Sequence, residues 1–171
     1  MFPLGLGAIY TGWADHQTEL LDVLRPLDAK RLALRPSPDH WAIWQLASNM
    51  CGGRAYWLHD VLGEGPDAVR DMFRVSSTTV PGLSLSDAGW EDDETHPRTA
   101  AELVNGFEQT WTLIEECLGR WSADDLDTVL PTKRGSLTRG WVIWHVIEHE
   151  LQHGTEIALI LRQNGLPTLE L

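Results

Sequence analysis

Four long stretches of this chain repeat apolar residues at helical spacing, and each is bounded by a cap or a breaker. That pattern leaves little room for anything but packed helices. The first stretch covers residues 12–25 (WADHQTELLDVLR from Trp13) and stops at Pro26. The second follows Ser37-Pro38-Asp39, runs over 41–62 and ends at Gly63. The third opens on the capping box formed by Thr99 and Glu102, continues to Leu118 and meets Gly119. The fourth covers 139–163 and is closed by Asn164-Gly165 and Pro167. Shorter helical turns are expected at 28–34, 66–73 and 122–126, and a small hairpin at 128–137. Residues 75–97, rich in Ser, Thr, Gly and Asp, carry no period and read as a long loop between the second and third helices. The expectation is an all-α, antiparallel four-helix bundle forming a single domain over residues 1–171.

Bulk properties narrow the partners. The chain has 171 residues and a formal charge of -12, with no basic run longer than Lys133-Arg134. Such a field repels phosphate backbones, so nucleic acid is not expected as a partner. The opening MFPLGLGAIY lacks the basic start of a signal peptide, and no apolar run reaches membrane length. The two cysteines, Cys51 and Cys117, do not make a secreted disulfide framework. They read as buried thiols of a cytoplasmic protein. Nine tryptophans against two tyrosines and three phenylalanines supply core packing, and several suit the walls of a ligand pocket.

The second and fourth helices open on one pattern, Trp41-Ala-Ile-Trp44 and Trp141-Val-Ile-Trp144. The echo fits either two related helical hairpins or two independent amphipathic starts. The fourth helix carries HELQH at 149–153, literally the H-E-x-x-H signature. At about 100° per residue, His145, His149 and His153 form a stripe with Glu148, Gln152 and Glu156. The opposite arc, with Ile143, Ile147, Leu151, Ile157, Ala158 and Leu161, reads as the core face. Glu150 lies inside that arc, where an ionised carboxylate is costly without a partner. His149 and His153 sit one turn apart, close enough for one ion to bridge two imidazoles. A polar stripe of this kind also suits a solvated face.

A zinc protease would need Glu150 as general base and a third protein ligand downstream. After His153 the only acids are Glu156 and Glu170, and Glu156 is on the same helix. No strand pattern precedes the helix to hold a peptide. The protease reading is therefore disfavoured.

The run Trp144-His145-Val-Ile-Glu-His149-Glu-Leu-Gln-His153-Gly-Thr-Glu156, continuing to Pro167, resembles the last helix of the DinB-like (DinB/YfiT-like) metalloenzyme family. The segments from Leu34 to Trp44 and from Arg54 to Glu64 resemble that family's second helix. The resemblance implies a four-helix bundle, often a homodimer, holding a zinc- or nickel-type divalent ion on three residues. Two of these are an i,i+4 pair of the last helix, here His149 and His153. The third comes from the second helix, at a position occupied here by Gln45, whose amide oxygen is a weaker donor than imidazole. Asn49, one turn on, is placed to assist, whereas His59 is about 21 Å from Gln45 along the helix.

The resemblance further implies chemistry on a small-molecule substrate. It suggests a metal-dependent S-transferase or isomerase using a low-molecular-weight thiol, or a hydrolase. Glu150 and Glu156 would then be the catalytic carboxylates, orienting a histidine or moving a proton. Arg54, Trp57 and Trp90 are candidates to line the pocket. The alternative is a non-catalytic dimeric bundle, for ligand binding or stress response, whose metal site has degenerated at Gln45.

Overall fold

The computed structural model describes residues 6–75, 89–132 and 135–169. A single turn, α1 (Leu6–Ile9), leads into α2 (Thr11–Leu24), and a short α3 (Ala29–Leu32) follows, capped by the Asp28 carboxylate on the Arg31 N–H. Helix α4 (Ile43–Ala55) continues without a break into a π-helical stretch, Tyr56–Val61. Then come α5 (Asp67–Met72), a 3-10 turn (Trp90–Asp92) and α6 (Ala100–Arg120). A further 3-10 turn (Asp124–Asp127) leads to the antiparallel hairpin β1 (Val129–Thr132) and β2 (Gly135–Thr138), and α7 (Arg139–Gln163) closes the chain. Helices α2, α4, α6 and α7 pack as the expected all-α bundle. The part of the expected loop at 76–88 lies outside the described residues. No helix among those described is long and apolar enough to cross a membrane.

Local chemistry explains the element ends. Thr99 accepts from the Glu102 N–H while the Glu102 carboxylate accepts from the Thr99 N–H at 2.8 Å, the reciprocal capping box. Thr138 accepts from the Trp141 N–H to start α7. Gly165, at φ 66°, ends that helix while the Leu166 N–H bonds back to the Leu161 carbonyl. The start of α4 departs from expectation. Ser37-Pro38-Asp39 lies upstream of the helix, and Ala42 is the residue that precedes its first turn. Lacking a side chain that can cap, Ala42 has its backbone N–H taken by Gln45 Oε1 at 2.8 Å.

The interior is divided into two apolar clusters. One gathers Leu20, Leu24, Leu46, Met50, Phe107, Ile157 and neighbours, and the other Trp13, Trp57, Leu113, Ile114, Val142 and Val146. Between them runs a polar layer with a contribution from every long helix: His16 and Gln17 from α2, Arg54 from α4, Thr110 from α6 and Glu150 from α7. Arg54 clasps Glu150 with Nε on Oε1 at 2.6 Å and Nη2 on Oε2 at 2.7 Å. The Trp13 indole N–H donates to the same carboxylate at 2.8 Å. Arg54 Nη1 reaches the Phe107 carbonyl and the Thr110 hydroxyl, and the guanidinium lies 4.9 Å from the Phe107 ring centre. Such a pair tolerates burial because both charges are matched and nearly every polar atom is bonded.

The buried face of α7 is centred near Glu150, about 45° away from the centre of the arc expected from the sequence. Leu151, expected in the core, is 44% exposed. The echoed tryptophans also diverge, with Trp44 buried and Trp144 61% exposed.

Candidate metal centre

Helices α4 and α7 run antiparallel, and three contacts fix their register. The Trp57 ring meets His145 at 4.8 Å, Trp41 meets His153 at 5.9 Å, and a Cβ on Gly53 would lie 3.5 Å from His149 Cε1. His149 and His153 face each other edge to plane with ring centres 4.5 Å apart. His145 continues the row at 6.1 Å from His149 and stacks on Trp141 at 5.0 Å and 12°. The histidines thus line a groove against α4, with Trp41 at one end and Trp57 and Trp141 at the other. The π-helical widening after Ala55 carries Trp57 into this wall.

Electrostatics keep the central histidine neutral. Burial, together with the positive character of His153, lowers the His149 pKa to about 4 against the opposing pull of Glu150. A neutral imidazole is the form that ligates a metal. His153 Nδ1 is 3.2 Å from Glu156 Oε2, a contact that orients the ring and leaves Nε2 for the groove.

The α4 side is built by two amides with different fates. Gln45 Nε2 donates to the Glu94 carbonyl at 3.2 Å, and its Oε1 accepts from the Ala42 N–H. Both ends of that amide are therefore committed to holding the chain. Asn49 Nδ2 donates to the Glu91 carbonyl at 2.7 Å, but its buried Oδ1 has no partner among the described residues. The bond to a carbonyl settles which atom is the nitrogen. Asn49 lies one turn before Gly53, and continuing the Trp57–His145 and Gly53–His149 spacing by one more turn brings it near the level of His153. The chain at 90–94 crosses α4 here so closely that a Cβ on Gly52 would overlap the Glu91 backbone nitrogen.

The carboxylates expected to be catalytic separate. Glu156 is half exposed beside His153. Glu150 is 1% exposed and points into the polar layer, with Arg54 and Trp13 filling its bonding positions. Arg54 is therefore an interior residue, and the partly buried Trp90 packs against Phe73 at 4.9 Å at the edge of the core rather than in the groove. Cys51 and Cys117 are free and buried, and burial raises both thiols, Cys117 to about 11. Neither is a ready nucleophile. Among the described residues no group of three His, Cys, Asp or Glu side chains is placed to hold a metal ion by itself. Any ion on the histidine pair would have to take an amide or an outside ligand.

A family model described as the DinB superfamily matches residues 13–157. The chain belongs to the DinB superfamily. A crystal structure of a DinB-like protein from Bacillus cereus ATCC 10987 superposes with a TM-score of 0.68 at 16% identity, covering 98% of this chain and 97% of the other. At that identity the likeness shows the shared DinB-like fold. No curated protein matches the chain.

Proposed function

We propose that this DinB-superfamily protein is a metal-dependent enzyme acting on a small molecule, with His149, His153 and the Asn49 side-chain oxygen as donors. The observation that carries this is the buried Asn49 Oδ1, left without a partner among the described residues, on the α4 face toward the neutral His149 imidazole and its neighbour His153. Two nitrogens and one amide oxygen suit a zinc- or nickel-type ion and leave open coordination, a catalytic rather than structural pattern. Gln45 is the poorer candidate because the start of α4 already uses its oxygen.

A bound ion of this type lowers the pKa of a thiol or water ligand. The protein's own contributions are separate. Trp41 and Trp57 pack on His153 and His145 and so hold the two ends of the histidine row in place. Glu156 fixes His153 through Nδ1 and, being half exposed, can hold or release a proton at the mouth. With Cys51 and Cys117 buried, a thiol reactant would come from a low-molecular-weight cofactor, in keeping with an S-transferase or isomerase. A hydrolase would use the same residues with water. The protein would act in the cytoplasm as a homodimer.

An amide in place of a third imidazole also favours a second reading, a non-catalytic ligand-binding or stress-response bundle with a weakened site. Elemental analysis of untagged protein, purified without chelator, separates the two. Near-stoichiometric zinc or nickel, lost in His153→Ala, supports the enzyme. Metal-free protein whose stability and ligand binding ignore His153→Ala refutes it.

A further inference from the structure

The chain at 89–94 crosses α4 beside Asn49 and is tied down at several points. The Trp90 N–H donates to the Phe73 carbonyl at 2.9 Å, and Gly89 forms a bridge with Arg74. Arg70, buried on α5, grips the Glu91 carboxylate with Nη2 on Oε1 at 2.6 Å and Nη1 on Oε2 at 3.2 Å. The same guanidinium is fixed by Asp60 of the π-helical stretch, with Nε on Oδ2 at 2.9 Å. Gly52 lets the crossing come this close, since a Cβ there would stand 2.9 Å from Trp90 Cβ and overlap the Glu91 backbone nitrogen. Gly52 thus seats the crossing, and Gly53 beside it seats His149.

These ties converge on the Glu91 carbonyl, which accepts from Asn49 Nδ2. The two ends of an amide are nearly equal in size, so hydrogen bonding, not sterics, chooses between its two flip states. Among the described residues Asn49 Oδ1 has no partner, which leaves that choice to the Glu91 carbonyl. A flipped amide would set its oxygen against the carbonyl oxygen and turn N–H groups, which carry no lone pair for a metal, toward the histidines. We propose that Arg70 and Glu91 are positioning residues of the metal centre: their ion pair holds the Glu91 carbonyl over α4, and that carbonyl keeps the Asn49 oxygen turned toward His149 and His153. The inference rests on the reading of Asn49 as a donor, and it places control of that donor outside the four long helices. An amide held in its ligating orientation loses no flip or rotamer freedom when an ion arrives.

Two readouts test this: cobalt affinity against a competing chelator, and solvent exchange of the Asn49 side-chain NH2, followed by NMR in isotope-labelled, metal-free protein. Glu91→Gln keeps the shape but weakens the grip of Arg70, and should weaken cobalt binding about threefold. Gly52→Ala lifts the crossing and should weaken it about tenfold, with Glu91→Gln giving the answer if Gly52→Ala does not fold. In an Asn49→Ala background both losses should vanish, because the residue they act through is gone. In metal-free protein the Asn49 NH2 should exchange at least about fivefold faster in either variant. Unchanged exchange overturns the latch whatever the metal result. Losses that persist in the Asn49→Ala background assign Arg70 and Glu91 a merely structural role and overturn it too. Cobalt binding that needs His153 and Asn49 but ignores Glu91→Gln and Gly52→Ala overturns the inference and leaves the metal reading standing. Wild-type protein that takes no cobalt overturns both.

Discussion

Removing one partner of the Arg54–Glu150 pair should be far more damaging than removing both. Arg54 and Glu150 side chains are 0% and 1% exposed, and two bonds of 2.6 and 2.7 Å join them. Arg54→Met strands a buried carboxylate with only the Trp13 N–H, and a stranded buried charge costs about 3–5 kcal/mol. Glu150→Leu strands the guanidinium and should cost a similar amount. The double variant removes both charges at similar volume, which is roughly neutral for the pair itself. It still leaves the Trp13 N–H without its partner, about 1–3 kcal/mol, whereas the Phe107 carbonyl keeps the Thr110 hydroxyl and Gln17. The sum of the singles thus exceeds the double by about 5 kcal/mol, a coupling visible in a double-mutant cycle of urea unfolding followed by tryptophan fluorescence. Singles too unstable for urea can be ranked by thermal unfolding. The reasoning is refuted if the double variant is as unstable as the two singles added, or if Arg54→Met costs under about 1 kcal/mol. A structural role for Glu150 also requires the double variant to keep its metal content.

The two α4 amides should separate by readout. Gln45→Ala removes a backbone cap and should cost about 1 kcal/mol in chemical unfolding with metal affinity unchanged. Asn49→Ala should weaken metal binding about tenfold or more, and Asn49→His should strengthen it, both followed by competition with a chromophoric chelator. Asp93 gives an acid-range signature. Its burial raises the pKa, but the Thr95 N–H, His96, Arg98 and the Thr95 hydroxyl outweigh that and bring it to about 2. The native value lies below the unfolded one, so Asp93 stabilises above about pH 4 and loses that contribution as pH falls toward 2. The contribution is about 2 kcal/mol at pH 7, with about half gone by pH 3. Asp93→Asn should flatten this part of the stability profile measured by denaturant titration.

Much of the bundle was legible because its signals are local. Thr138 and Asn164-Gly165 lie beside the helix they bound, and the observed α7 has the expected limits. The Thr99–Glu102 box and the hairpin signal are local in the same way. What sequence reading missed depends on distant residues. The π-helical stretch after Ala55 and the 3-10 turn at Trp90–Asp92 have no periodic signature of their own. The apolar arc of α7 expected from the sequence is about 45° off the buried face, which is why Leu151 is half exposed and not in the core. Glu150 carried a usable clue: a carboxylate on the buried face demands a cation, and Arg54 is the one Lys or Arg within the second helical segment. At Gln45 the start of the helix competes for the side-chain oxygen. The helix starts at Ile43, which makes Gln45 its third residue, and the Ala42 N–H takes its oxygen. Asn49, one turn on, escapes that demand.

The central claim is a metal site made by His149, His153 and Asn49, and cobalt titration of untagged, chelator-stripped protein tests it most directly. One cobalt per chain is expected, with visible d–d absorption. The signal should be abolished by His149→Ala or His153→Ala, weakened by Asn49→Ala and untouched by Gln45→Ala. Cobalt binding that survives loss of either histidine, or no binding at all, contradicts it.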